Sequence, residues 1–218
     1  MLVIFDCDGV LVDSETLACQ VDAEFLTSLG IPYTRDEIIS QFVGVSLKDM
    51  IPRIEAERAC TLPADFAESL NRTLFARLES DLRPIAGVRD AILALPHRRC
   101  VASSSTPDRI ALSLRLTGLN DLFDNVFSAS EVVRGKPAPD LFLHAAARMG
   151  VAPPDCLVIE DSIAGVQAAG AAGMRVIGFA GGGHCGPDHA GRLREAGALS
   201  VIDRMAELPE TLRAFTSP

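Results

Sequence analysis

Two aspartates at a spacing of two, Asp6 and Asp8, follow the apolar run Leu2 to Phe5 and are followed at once by Gly9. Carboxylates abutting a buried strand are costly unless something pairs with them. Two placed this close repel, so the arrangement calls for a cation or a proton between them. Three other stretches are similarly equipped. Ser103, Ser104, Ser105 and Thr106 follow Cys100-Val101-Ala102, and Pro107 then opens a helical pattern, which makes a ready anion site. Lys136 lies in R-G-K-P-A-P-D, where Pro137 and Pro139 exclude helix and stiffen the chain around it. Glu160 and Asp161 leave the apolar run L-V-I, with Ser162 and Gly165 starting the next helix.

Each stretch has an ordinary explanation by itself. A serine run caps a helix, a lysine is solvated, and an acidic pair satisfies helix donors. All of them, however, fall at the carboxyl ends of apolar runs, which an open α/β sheet gathers along one edge. One anion, one cation and one lysine would satisfy every group there. Asp6, in line with a phosphorus atom, can act as nucleophile and form an aspartyl-phosphate. Asp8 can protonate the leaving oxygen and then deprotonate the hydrolytic water. Hard oxygens from Asp6, the Asp8 backbone carbonyl and Asp161 suit Mg2+. Ser103, the backbone N–H of Ser104 and Lys136 would hold the phosphoryl oxygens.

The elements that must position these groups follow from periodicity. After the first strand, residues 15–29 read as a helix with Leu17, Val21, Phe25 and Leu29 at a spacing of four and Gly30 as its cap. Thr34 with Glu37 forms a capping-box pattern for a second helix, and Ser46 can cap a third reaching about Glu57. Residues 63–79 make a fourth. No strand pattern interrupts these helices, and a doubly wound fold ordinarily needs a much shorter crossover. A small helical domain, residues 15–83, is therefore expected inside a core made of 1–14 and 84–218. The core alternates: helix 87–95, strand 99–103, helix 107–117, strand 126–128, helix 140–149, strand 157–159, helix 162–172, strands 175–179 and 200–202, and a terminal helix 205–215. That pattern predicts an α/β fold with a doubly wound, mostly parallel sheet.

With 218 residues, 48% hydrophobic and 22% charged, the chain can bury a sizeable core and is too apolar for disorder. Its formal charge of −9 is a poor footprint for nucleic acid or an anionic membrane. The six cysteines show no C-x-x-C pair or zinc-ligand spacing, as expected of reduced, mostly buried thiols. Asp6 interrupts the opening apolar run too early for a signal peptide, and no run is long enough to span a bilayer. A cytoplasmic monomer acting on a small phosphate ester is the expectation.

Taken together, the four motifs resemble those of the haloacid dehalogenase superfamily over essentially the full length. The chain is most similar to the β-phosphoglucomutase and sugar-phosphatase-like branch, which carries a helical cap after the first strand. The resemblance rests on F-D-C-D-G-V-L-V-D-S, V-A-S-S-S, G-K-P-A-P-D and V-I-E-D-S-I-A-G. It implies Asp6 as nucleophile, Asp8 as general acid/base, Ser103 and Lys136 as phosphate contacts, Asp161 as metal ligand and Glu160 as ligand or outer-shell partner, with Mg2+ as cofactor. Dehalogenating members resemble D-x-Y at the first motif. Asp8 therefore favours an oxygen leaving group and phosphate monoester chemistry, and a module that only binds phosphate has no use for a proton donor there. β-Phosphoglucomutases resemble G-V-S-R in the cap, whereas this chain has G-V-S-L-K. Leu47 takes the arginine position and Lys48 is turned about 100° around the helix, which weighs against mutase activity and for hydrolysis.

The helical insertion supplies Lys48, Arg53, Arg58, Gln41 and Asn71, and its Tyr33 and Phe42 look isolated in the sequence. Such a lining favours hydroxyls or a carboxylate over a nucleobase. It suggests a hexose phosphate or a sugar-acid phosphate such as phosphogluconate, with Lys48 as candidate specificity residue. Finally, Gly181-Gly182-Gly183-His184-Cys185 and His189 form a glycine-rich stretch after a strand. Its spacing fits no usual structural zinc site, so it reads as a loop expected to rim the active site.

Overall fold

The computed structural model describes residues 1–43, 45 and 47–215. Gly44 and Ser46, including the expected cap of the third helix, lie outside the described residues. The chain forms two compact units, Met1–Asp13 with Arg83–Pro218, and Ser14–Leu82.

Strand β1 (Leu2–Phe5) is buried at every position, as an uninterrupted apolar run requires. The chain then enters the helical unit through α1 (Ser14–Ser28), α2 (Arg35–Phe42), α3 (Leu47–Arg58) and α4 (Phe66–Asp81). The capping box is present: the Glu37 N–H donates to Thr34 Oγ1 at 3.2 Å, and the Thr34 N–H donates to Glu37 Oε2 at 2.7 Å. Helix α1 buries Cys19, Val21, Ala23 and Leu26, whereas Leu29 is exposed. Residues spaced by four drift about 40° per step around a helix of 3.6 residues per turn, which carries Leu29 away from the packed stripe. Tyr33 and Phe42 are not isolated. Their rings meet edge-on at 5.9 Å, with the Arg53 guanidinium 5.1 Å from the Phe42 centroid and that of Arg58 4.1 Å from Tyr33. Both arginines therefore serve the packing of this unit.

The larger unit continues with α5 (Val88–Leu93), β2 (Arg98–Ser103), α6 (Pro107–Leu116), β3 (Val126–Ser128), α7 (Asp140–Met149), β4 (Cys156–Glu160), α8 (Ile163–Ala171), β5 (Arg175–Phe179), α9 (His189–Ala196), β6 (Ser200–Ile202) and α10 (Leu208–Ala214). Helix α9 has no periodic apolar stripe to announce it. It is short, polar and buries Leu193. The terminal segment divides into a 3-10 turn, Met205–Glu207, and α10.

All pairings in the six-stranded sheet are parallel, in the order β3-β2-β1-β4-β5-β6. Strand order reverses between β1 and β4, and ligand crevices of open α/β sheets lie at that place beyond the strand ends. One side of the core joins Leu2, Ile4, Cys100 and Val158 to Phe142 and Val166. A fully buried side chain of this size contributes about 1.5–3 kcal/mol, so the strands that carry the polar groups are held firmly. Beyond β1, Val12 bridges both Asp8 and Pro84, and the Asp13 N–H donates to Arg83 O at 3.0 Å. Among the described residues no helix is long and apolar enough to cross a membrane.

Candidate active site

Asp6 is the first residue past β1, and its N–H still donates to Ile159 O of β4 at 3.0 Å. Phe5 pairs with Val101 and with Ile159, so Ser103 and Glu160 finish the strands on either side of it. Asp6, Glu160 and Asp161 are all buried, and each offers a carboxylate oxygen within 4.8 Å of the others. Lys136 reaches into this group with a side chain only 5% exposed. Its ammonium donates to Glu160 Oε1 at 2.6 Å and Ala102 O at 3.3 Å, and lies 3.0 Å from Asp6 Oδ1 without hydrogen-bond alignment.

Lys136 faces Asp6 and Glu160, while His184, which burial would lower but its hydrogen bond to Asp161 raises to about 10, faces Asp161; the three buried carboxylates still outnumber these two cationic groups. Burial, with added repulsion from its acidic neighbours, holds the Asp6 carboxyl well above the usual range despite Lys136. Burial also raises Asp161, against the pull of a hydrogen bond from His184. For Lys136, burial alone would lower the pKa, but Asp6 and Glu160 outweigh it and hold the ammonium charged. The surplus of negative charge fits a bound cation, and an all-oxygen donor set suits a hard one.

Asp8 occupies a different setting. Its Oδ2 accepts from Ser105 Oγ at 2.6 Å and from Ser103 Oγ at 3.4 Å, and its Oδ1 accepts from Arg109 at 3.0 Å. The serine turn is itself held, since Ser103 Oγ accepts the Ser105 N–H and Ser128 Oγ donates to Ser105 O. Ser104 is exposed beside it. Nothing in the sequence singles out Arg109, because an arginine in the first turn of an amphipathic helix carries no signal of its own. Lys48 is exposed on α3.

Glu160 anchors the turn after β4 as well as offering a carboxylate oxygen to the acidic cluster. Its Oε2 accepts from the N–H and Oγ of Ser162, while Ser162 Oγ caps α8 by accepting the Gly165 N–H at 3.0 Å. Gly165 makes room for it, since a Cβ there would fall 1.8 Å from Glu160 Oε1. Gly9 performs the same service for Asp161. It has φ +76°, and a Cβ would stand 1.9 Å from Asp161 Oδ2. The loop after β5 also enters. His184 Nε2 is 3.0 Å from Asp161 Oδ2, and His189 Nε2 donates to Asp161 O at 2.6 Å.

An acidic cluster, an enclosed lysine and a second, separately held aspartate thus meet at the switch point of a parallel sheet, where open α/β folds carry their ligand sites. Residues 3–179 match the model of the haloacid dehalogenase-like hydrolase family, and the chain belongs to that family. It is 35% identical over 214 residues to the 6-phosphogluconate phosphatase of Escherichia coli, covering 97% of this chain and 94% of that protein. It is 33% identical over 205 residues to a phosphorylated carbohydrates phosphatase of Thermotoga maritima, covering 92% of this chain and 93% of the relative. The crystal structure of a conserved haloacid dehalogenase-like protein of unknown function from Agrobacterium tumefaciens superposes with a TM-score of 0.92, at 43% identity and 99% coverage of both chains. The chain is accordingly a hydrolase of the phosphatase kind.

Proposed function

We propose that the protein is a Mg2+-dependent phosphatase for a small polar sugar phosphate or sugar-acid phosphate, working through an aspartyl-phosphate on Asp6. The observation that carries this reading is the unequal setting of two aspartates only two residues apart. Asp6 lies among buried carboxylates against Lys136, whereas Asp8 is held by Ser105 and Arg109. Two carboxyl groups in contrasting environments can divide nucleophilic and proton-transfer work between them.

In this mechanism Asp6 attacks phosphorus and the P–O bond to the sugar breaks. Asp8 gives its proton to the departing oxygen, then takes one from the water that hydrolyses the phosphoenzyme. Ser103, the Ser104 N–H and Lys136 hold the phosphoryl oxygens. Asp6, the Asp8 carbonyl and Asp161 would hold Mg2+, with Glu160 tying Lys136 in place. Bound there, the ion offsets the charge of the nucleophile and the phosphoryl group. The helical unit serves as a substrate-selecting cap, with Lys48 as its candidate specificity residue. The phosphatases named above support a phosphorylated carbohydrate as substrate. Leu47 in place of the mutase arginine supports hydrolysis over transfer within one sugar.

The test is phosphate release with Mg2+ over a panel of sugar, sugar-acid, polyol and nucleoside phosphates. Hydrolysis of sugar or sugar-acid phosphates, lost in Asp6→Asn, is expected. Full activity in Asp6→Asn refutes the nucleophile, and a preference for nucleoside monophosphates refutes the substrate class. Measurable ligand binding without turnover on any ester would make the protein a binding module.

A further inference from the structure

The loop between β5 and α9 brings together three side chains that the proposed reaction does not use. His184, Cys185 and His189 each offer a ligand atom, and these lie within 4.8 Å of one another. Their spacing of one and then four residues is unlike that of structural zinc sites, where two short ligand pairs are far apart in sequence. The fold closes the gap differently. The glycine-rich loop turns back so that His189, the first residue of α9, returns to the His184-Cys185 pair, and the two imidazole rings meet edge-on at 5.8 Å.

We propose that this cluster is a binding site for a thiophilic divalent cation of the Zn2+ class, adjoining the acidic cluster but chemically distinct from it. Three features support the assignment. A thiol with two imidazoles is a soft, nitrogen-and-sulfur donor set, whereas Asp6, Glu160 and Asp161 offer only hard oxygens. The separation of Cys185 Sγ and His184 Nε2 is 3.5 Å. Tetrahedral zinc, with Zn–N of about 2.0–2.1 Å and Zn–S of about 2.3 Å, requires an N···S edge of about 3.6 Å. His189 donates its Nε2–H to Asp161 O at 2.6 Å. That is how metal-binding histidines are commonly oriented, with one ring nitrogen tied to a carbonyl and the other left to ligate. Asp161 Oδ2, 3.0 Å from His184 Nε2, is in position to be a fourth donor.

Because Asp161 borders both clusters, a cation held by the thiol and imidazoles competes for a carboxylate that the proposed reaction assigns to Mg2+. Occupancy then inhibits hydrolysis, a consequence that rests on the proposed function; the site itself does not.

The test uses reduced, metal-stripped protein in excess Mg2+, titrated with Co2+ as a spectroscopic substitute for Zn2+. A thiolate-to-cobalt charge-transfer band that saturates at one equivalent and is displaced by Zn2+ is expected in the wild type. Cys185→Ser should abolish the band. His189→Gln, whose amide can still donate to Asp161 O, should weaken Co2+ binding about 10-fold or more. No band in the folded wild type, or a band unchanged in Cys185→Ser, overturns the site whatever the protein hydrolyses. In parallel, one equivalent of Zn2+ should slow Mg2+-supported phosphate release in the wild type and not in Cys185→Ser. Equal inhibition of both, or of neither, overturns the coupling to Asp161.

Discussion

Replacing Lys136 with Ala removes the one ammonium that faces Asp6 and Glu160, and Glu160 is fully buried. Breaking a buried ion pair from one side typically costs about 3–5 kcal/mol. Protonation sets a ceiling, because a carboxyl group can take up a proton once that is cheaper than staying charged. For a carboxyl group with an ordinary value of about 4.3, neutralisation costs about 1.36 × (7 − 4.3), or ~3.7 kcal/mol, at pH 7 and about 1 kcal/mol at pH 5. In the variant the folded state binds the extra proton, so its deficit grows as pH rises above the ordinary carboxyl value and shrinks as pH falls toward it. The wild-type lysine contributes evenly over this range. Its folded value is raised, so its stabilisation is complete below the ordinary lysine value of about 10.4 and is lost only at higher pH. Thermal unfolding with a chelator present, at pH 5 and pH 7, is the assay. A fall of about 8–15 °C at pH 7, mostly recovered at pH 5, is expected for a chain of this size. A deficit under about 1 kcal/mol at pH 7, or one that increases on acidification, would refute the ion-pair reasoning.

Asp8→Asn keeps an acceptor for Ser105 and removes the exchangeable proton. It should lower kcat by about 10²–10⁴-fold and change KM little, as steady-state kinetics on a sugar phosphate would show. Lys48→Ala should raise KM for an acidic sugar phosphate while sparing p-nitrophenyl phosphate, and an equal effect on both would remove Lys48 from the specificity site. Gly165→Ala would gain about 1 kcal/mol from helix propensity alone. The Glu160 carboxylate, 1.8 Å from the new Cβ, predicts instead a lowered Tm together with reduced phosphatase activity. An unchanged or higher Tm would show that Glu160 can step aside.

The chain pattern by itself determined the elements that carry the site. Four apolar residues before Asp6 fit a strand buried on both faces, and Gly30, the expected cap after α1, takes up positive φ. These features are legible because periodicity and turn chemistry are local. Helix α9 is short and buries only Leu193 of its residues, so it leaves no periodic trace, and the packed face of α1 differs from the one that spacing by four suggests because four residues overshoot the true helical period. Other matters were decided only by the tertiary structure. Arg109 reaches Asp8 across 101 residues, Lys136 finds Glu160 across 24, and His189 finds Asp161 across 28. No local signal marks such partners, because strand register and the return of each helix over the sheet determine which side chains meet. The Tyr33–Phe42 pair, with an arginine on each ring, has the same origin. Sequence places reactive groups at strand ends; pairing β1 with β4 and laying the segment between β3 and α7 over their ends makes neighbours of Asp6, Lys136 and Glu160, since a buried charge is stable only where the fold supplies its partner.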